Sequence, residues 1–209
     1  AICGLIAALL VTLTIRPAPQ AQAENNARRH PLDFRPAFKN KAALGYIFAY
    51  GAHNFELFAY RGWLFAYLIF AAGTYQISIN AASLSTLISI FAIIGMSASI
   101  IGASFCLRYP RARTISRFGA LSALTAILFG LSGFIDFYLI LVLALLFNIT
   151  IMLDSASLTA GTVSAANEHD RGALLAVHTM IGFGGAALGA PTMGVVLDIA
   201  GGETGITAW

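Results

Sequence analysis

The sequence predicts an all-α fold, a polytopic bundle of about six transmembrane helices. Three observations predict it. Of 209 residues, 58% are apolar and only 10% are charged, whereas a soluble domain carries about 25% charged residues because its surface faces water. Mean hydropathy is +0.80. Apolar runs recur at a length that suits the bilayer, since about 20 apolar residues in a helix cross about 30 Å of hydrocarbon.

The first run, 1–15, is partial. A secretory signal here would end at Ala21-Gln22-Ala23, but such signals need a basic start, and none precedes the run. The expectation is a transmembrane helix cut short by a fragment boundary. A second truncation is expected after Trp209, which follows an outer-loop-like segment. Residues 16–42 hold Pro17, Pro19, Pro31 and Pro36 among six basic side chains, so they read as a basic, solvated and partly flexible linker. The rest, 43–209, forms a carboxy-terminal bundle. Its runs are 43–71, 84–106, 118–135, 138–163 and 173–197. Short connections between them make consecutive helices antiparallel neighbours.

Charge placement orients the bundle. Arg16, Arg28, Arg29, Arg35, Lys39 and Lys41 lie in the linker, Arg108, Arg111, Arg113 and Arg117 in the next connection on that side, and Arg171 in the third. The alternate connections, 73–83, 133–137 and 198–209, hold no Lys or Arg. The positive-inside rule places the basic connections in the cytoplasm. A net charge of +3 gathered in this way points to membrane topology, and no nucleic-acid partner is expected. Cys3 and Cys106 sit in apolar stretches and predict neither a disulfide framework nor a metal site. No cofactor is expected: the chain has no His-Glu-x-x-His and no Gly-rich phosphate loop ending in Lys.

Four features resemble the major facilitator superfamily (MFS) of secondary transporters. A long basic linker separates one helix from the next five. The stretch Gly102-Ala-Ser-Phe-Cys-Leu-Arg108-Tyr-Pro-Arg111-Ala-Arg113 is similar to the family's basic loop between its eighth and ninth helices, without the usual acid and with Pro110 where Gly is common. Asp154-Ser-Ala-Ser-Leu-Thr-Ala-Gly161 resembles a tenth helix with a buried acid. Arg171 to Gly194, with Leu197-Asp198 after it, resembles the Gly-rich eleventh helix. The resemblance implies helices six to eleven of a twelve-helix transporter, half of an MFS-type fold, with an amino-terminal half and a last helix outside the chain.

Few ionisable groups lie within the runs, and each is expensive in lipid, so each is expected to face a cavity or a partner. On 43–71, Tyr46, Tyr50, His53, Leu57 and Tyr60 share one stripe at helical spacing, with Glu56 and Arg61 on opposite flanks. The functional reading is a pore-facing wall with a titratable acid, a cation for anionic solute groups and aromatic surfaces. The alternative is mutual neutralisation of Glu56 and Arg61, which a five-residue spacing disfavours. Arg61, beside Trp63, is also placed to snorkel to the interface. Thr150, Asp154, Ser157 and Gly161 form a small polar face, so Asp154 needs water or a partner from another helix; the plain alternative is a static interhelical hydrogen bond. His178, Gly182, Gly185 and Gly189 repeat at 4-3-4 spacing and read as a packing groove, with Pro191 expected to bend the helix and His178 a capping or interface group.

The expected substrate and coupling-ion cavity is therefore Tyr50, His53, Glu56, Tyr60, Arg61 and Asp154, since the family's seventh and tenth helices line a central cavity. Glu56 and Asp154 suggest protons as the coupling ion, because carboxylates in low dielectric can titrate near neutral pH. The chain is expected to be a non-enzymatic secondary transporter of a small solute, with Arg61 pointing to an anionic one, in contact with membrane lipid in a bacterial inner (plasma) membrane. The rivals are a membrane-embedded enzyme acting on a lipid or quinone, which would gather catalytic groups near one interface, and a non-transporting sensor of the same family.

Overall fold

The computed structural model describes residues 33–202 together with 205 and 209. The expected run 1–15 and the linker up to residue 32 lie outside the described residues. The described fold is all-α, and five spans are long and apolar enough to cross a membrane. A short helix α1 (Arg35–Lys39) precedes α2 (Lys41–Thr74). Then follow α3 (Ala81–Arg108), α4 (Arg111–Ser132), α5 (Phe137–Met152) and α6 (Ser155–Ala165). A 3₁₀ turn, Glu168–Asp170, leads into α7 (Arg171–Ile199).

Helix starts follow local chemistry. Asn40 accepts from the Ala43 amide, Asn80 from the Ser83 amide, and Asp136 from the amides of Tyr138 and Leu139. Each satisfies amides that a first turn leaves unpaired. The end of the expected linker is ordered. Pro36 suits the first turn of α1, and Ala37 is fully buried in a cluster with Ala43, Ile47, Leu174 and Val177.

Two expected boundaries change. The basic stretch 108–117 is helical except at Tyr109 and Pro110, because Arg is a good helix former and its long stem can carry the charge to water from a helix end. The run expected as one helix over 138–163 is broken at Leu153–Asp154 into α5 and α6. A close approach accompanies the break. A Cβ at Gly102 on α3 would collide with the Leu153 carbonyl, so only glycine lets the turn's backbone come this near.

The helix ends match the charge pattern. The Asn40 side chain donates to the Ala165 carbonyl at 2.7 Å, and Arg111 donates to Ser164 Oγ at 2.6 Å. Lys39, Lys41, Arg111 and Arg171 therefore share one end of the bundle. At the other end Tyr75 donates to the Gly133 carbonyl at 2.8 Å. α2 is the central element. It packs most extensively on α7, where Cβ atoms at Gly185 and Gly189 would strike the α2 backbone at Gly51 and Phe55, and one at Gly182 would strike the Tyr50 ring. The helix assignment continues through Pro191. Outward faces of α3 and α4 carry Ile93, Ile100, Leu107, Leu124 and Ile127, all exposed. In an integral membrane protein these side chains face lipid.

Candidate functional site

The aromatic stripe of α2 turns inward. His53, Leu57 and Tyr60 are buried, and Tyr46 and Tyr50 are partly so. Asp154 projects from the break between α5 and α6. Its Oδ1 lies 2.8 Å from His53 Nδ1, with side-chain exposures of 15% and 3%. The approach is off the axis of an aligned hydrogen bond, so the pair is an ionic contact when His53 is protonated. Ser157, one turn along α6, buries a hydroxyl that has no hydrogen-bond partner among the described residues. Asp154 thus has the partner from another helix that its isolation demanded, and His53 and Asp154 reach the same depth in the bundle.

Glu56 lies one turn beyond His53 on α2, about 4.5 Å along the axis. Its Oε1 accepts from Ser122 Oγ on α4 at 2.7 Å. Among the described residues it forms no ion pair. Arg61 is exposed, and its guanidinium reaches the Met152 sulfur at 3.8 Å. Glu56 and Arg61 therefore do not neutralise each other.

Beyond Glu56 opens a partly enclosed cavity of about 360 Å³ between α2, α4, α5 and α7. Glu56 and Tyr60 line it, together with Trp63, Tyr67, Phe129 and Trp209. Tyr50, His53, Arg61 and Asp154 lie outside this wall. The rings interlock: Tyr60 meets Phe147 edge-on at 5.1 Å, Tyr67 meets Phe129 edge-on at 5.3 Å, and Trp209 stacks on Tyr67 at 5.6 Å.

On the basic side of His53 lies a second cluster. His178 stacks on Tyr50 with ring centroids 4.0 Å apart. Its Nε2 is 3.2 Å from Thr159 Oγ1 and its Nδ1 3.1 Å from Thr162 Oγ1. His178 is thus a buried interface group joining α2, α6 and α7. Gly182, Gly185 and Gly189 lie on the same face of α7, against α2.

Sequence reasoning did not single out Ser122, Phe129 or Tyr67. The signal for Ser122 was present as small polar residues at 122, 125 and 132 on one face of α4, all buried. Thr125 pairs with Thr150 at 2.7 Å on that face. Tyr67 continues the α2 stripe seven residues after Tyr60, and Phe129 lies seven residues after Ser122 on the α4 face, but an aromatic side chain in an apolar run looks the same toward lipid and toward a cavity.

A family model described as Major Facilitator Superfamily matches residues 1–190. No curated protein and no solved structure matches the chain.

Proposed function

We propose, from the premise that this chain belongs to the major facilitator superfamily of membrane transporters, that it carries a small solute by secondary active transport coupled to protons. The observation that carries the coupling is the contact between His53 on α2 and Asp154 at the helix break. An ionised Asp154 beside a protonated His53 ties α2 to the α5–α6 turn. Loading a proton onto Asp154 removes that attraction and loosens the tie. Breaks of this kind give transporters backbone groups that can rearrange within the bilayer, and polar groups at mid-depth are where such proteins hold coupling ions. A ligand or proton that interacts differently with the tied and untied states shifts the balance between them. Glu56, one turn away and free of any ion pair among the described residues, is a second proton-accepting group facing the cavity.

The reading includes a bacterial inner (plasma) membrane location with the basic end in the cytoplasm, supported by the gathering of Lys and Arg at one end of the bundle. The test is solute flux in proteoliposomes. Asp154→Asn and Glu56→Gln should abolish proton-driven accumulation while sparing binding or solute exchange. Normal accumulation against a gradient by both variants would overturn the coupling role.

A further inference from the structure

We infer that the aromatic cavity takes an apolar organic monocation, with Glu56 as its counter-charge. This names the substrate class for the transport reading above, and only its flux arm rests on that reading.

Among the described residues, Glu56 is the only charged one in the wall. Arg61, the group that would have favoured an anion, is exposed and outside it. The polar tips of three wall side chains are turned away from the space. The Tyr60 hydroxyl donates to the Ala144 carbonyl at 2.9 Å, and the Trp63 indole N–H donates to the Ala190 carbonyl at 2.7 Å. The Tyr67 hydroxyl is buried against Gly133. A sugar, an amino acid carboxylate or a phosphate would lose its water here and find none of these donors. An anion would in addition face the Glu56 carboxylate.

Tyr60, Trp63, Tyr67, Phe129 and Trp209 leave ring surface around one carboxylate. Aromatic rings attract a cation through their electron-rich faces, and do so most when water is excluded. The carboxylate adds the full charge; Ser122 holds it in place, and among the described residues no cation pairs with it. A volume of about 360 Å³ is within the range of sites for drug-sized molecules. The site therefore selects a cation whose charge is carried on a bulky apolar or aromatic frame.

The experiment uses two probes of one shape and opposite charge, tetraphenylphosphonium and tetraphenylborate, with the purified protein in detergent. Both tryptophans of the chain line the cavity, so their fluorescence reports its occupancy. The phosphonium should bind saturably, and the borate about tenfold more weakly or worse. Glu56→Gln should bring the two within about threefold of each other, while Arg61→Ala, at an exposed position outside the wall, should retain the preference. Equal binding of the two probes to the unmodified protein would overturn the inference, whether or not Glu56→Gln folds. So would an intact preference in a folded Glu56→Gln. Flux separates this inference from the transport reading. Proton-driven uptake of some other solute without cation binding sinks the cation site alone. Selective cation binding without any flux sinks transport and leaves the site standing.

Discussion

At the scale of single residues, the His53–Asp154 contact should behave as a coupled pair. Removing one partner of a shielded ion pair leaves the other charge uncompensated, at a cost of about 3–5 kcal/mol. His53→Ala and Asp154→Ala should each lower the unfolding midpoint of the protein in detergent. The double variant should lose clearly less than the sum, because its second substitution removes a charge already stranded. Strict additivity would show that the 2.8 Å approach carries no energy. Arg61→Ala is the contrast. Arg61 is exposed and its guanidinium donates to the Met152 sulfur at 3.8 Å, so the stability change should stay within about 0.5 kcal/mol. His53, Glu56 and Asp154 were legible in the sequence because a charge in a membrane run is costly and therefore rare. Their partners were not: Ser122 lies 66 residues from Glu56, and nothing local relates the two.

At the scale of elements, two adjacent glycines of α7 should respond oppositely. A Cβ at Gly185 would collide with the Gly51 carbonyl of α2, whereas Gly184 has nothing within 4 Å. Gly185→Ala should therefore cost about 1–3 kcal/mol through forced separation of the helices. Gly184→Ala should be neutral or slightly stabilising, since alanine suits a helix better than glycine. Thermal unfolding of the two variants in detergent compares them directly; equal losses would show that α2 and α7 are not in backbone contact. The same reasoning applies to the break between α5 and α6. Gly102→Ala would push the Leu153 carbonyl away and displace Asp154 from His53. It should impair proton-driven accumulation more than solute binding, and transport at the normal level would detach the break from coupling. The 4-3-4 spacing of small residues on α7 was readable as a packing face because spacing along a helix is local. The break was hidden, since residues 150–157 contain neither Pro nor Gly, and the close approach that accompanies it comes from another helix.

At the scale of the whole molecule, the basic end and the base-free end should lie on opposite sides of the membrane. Single cysteines at Arg113 and Asp198, both exposed and at opposite helix ends, should react with an impermeant maleimide from opposite faces of sealed vesicles, Arg113→Cys from the cytoplasmic one. Labelling of both from one face would break the antiparallel topology. The buried thiol of Cys106 should react slowly in either case. The span pattern and the charge pattern are independent readings of the sequence, and the Asn40–Ala165, Arg111–Ser164 and Tyr75–Gly133 contacts join the helix ends that those readings pair.

The sequence by itself determined the membrane class, the order of the spans, the end that carries the positive charge and the helices that hold ionisable groups. Each of these follows from the free energy of moving individual residues between water and hydrocarbon, which adds up along the chain without reference to distant segments. Only the tertiary structure decided that His53 meets Asp154, that Glu56 rests on Ser122 while Arg61 turns outward, and that rings from three helices and Trp209 surround one carboxylate. Those outcomes depend on the rotation and axial offset of each helix against its neighbours. Close approaches at Gly102, Gly185 and Gly189 set those offsets, and polar contacts such as Trp63 to the Ala190 carbonyl, 127 residues apart, lock them. In lipid, apolar side chains gain little from choosing one neighbour over another, so helix register is set by such packing and polar contacts rather than by hydrophobicity.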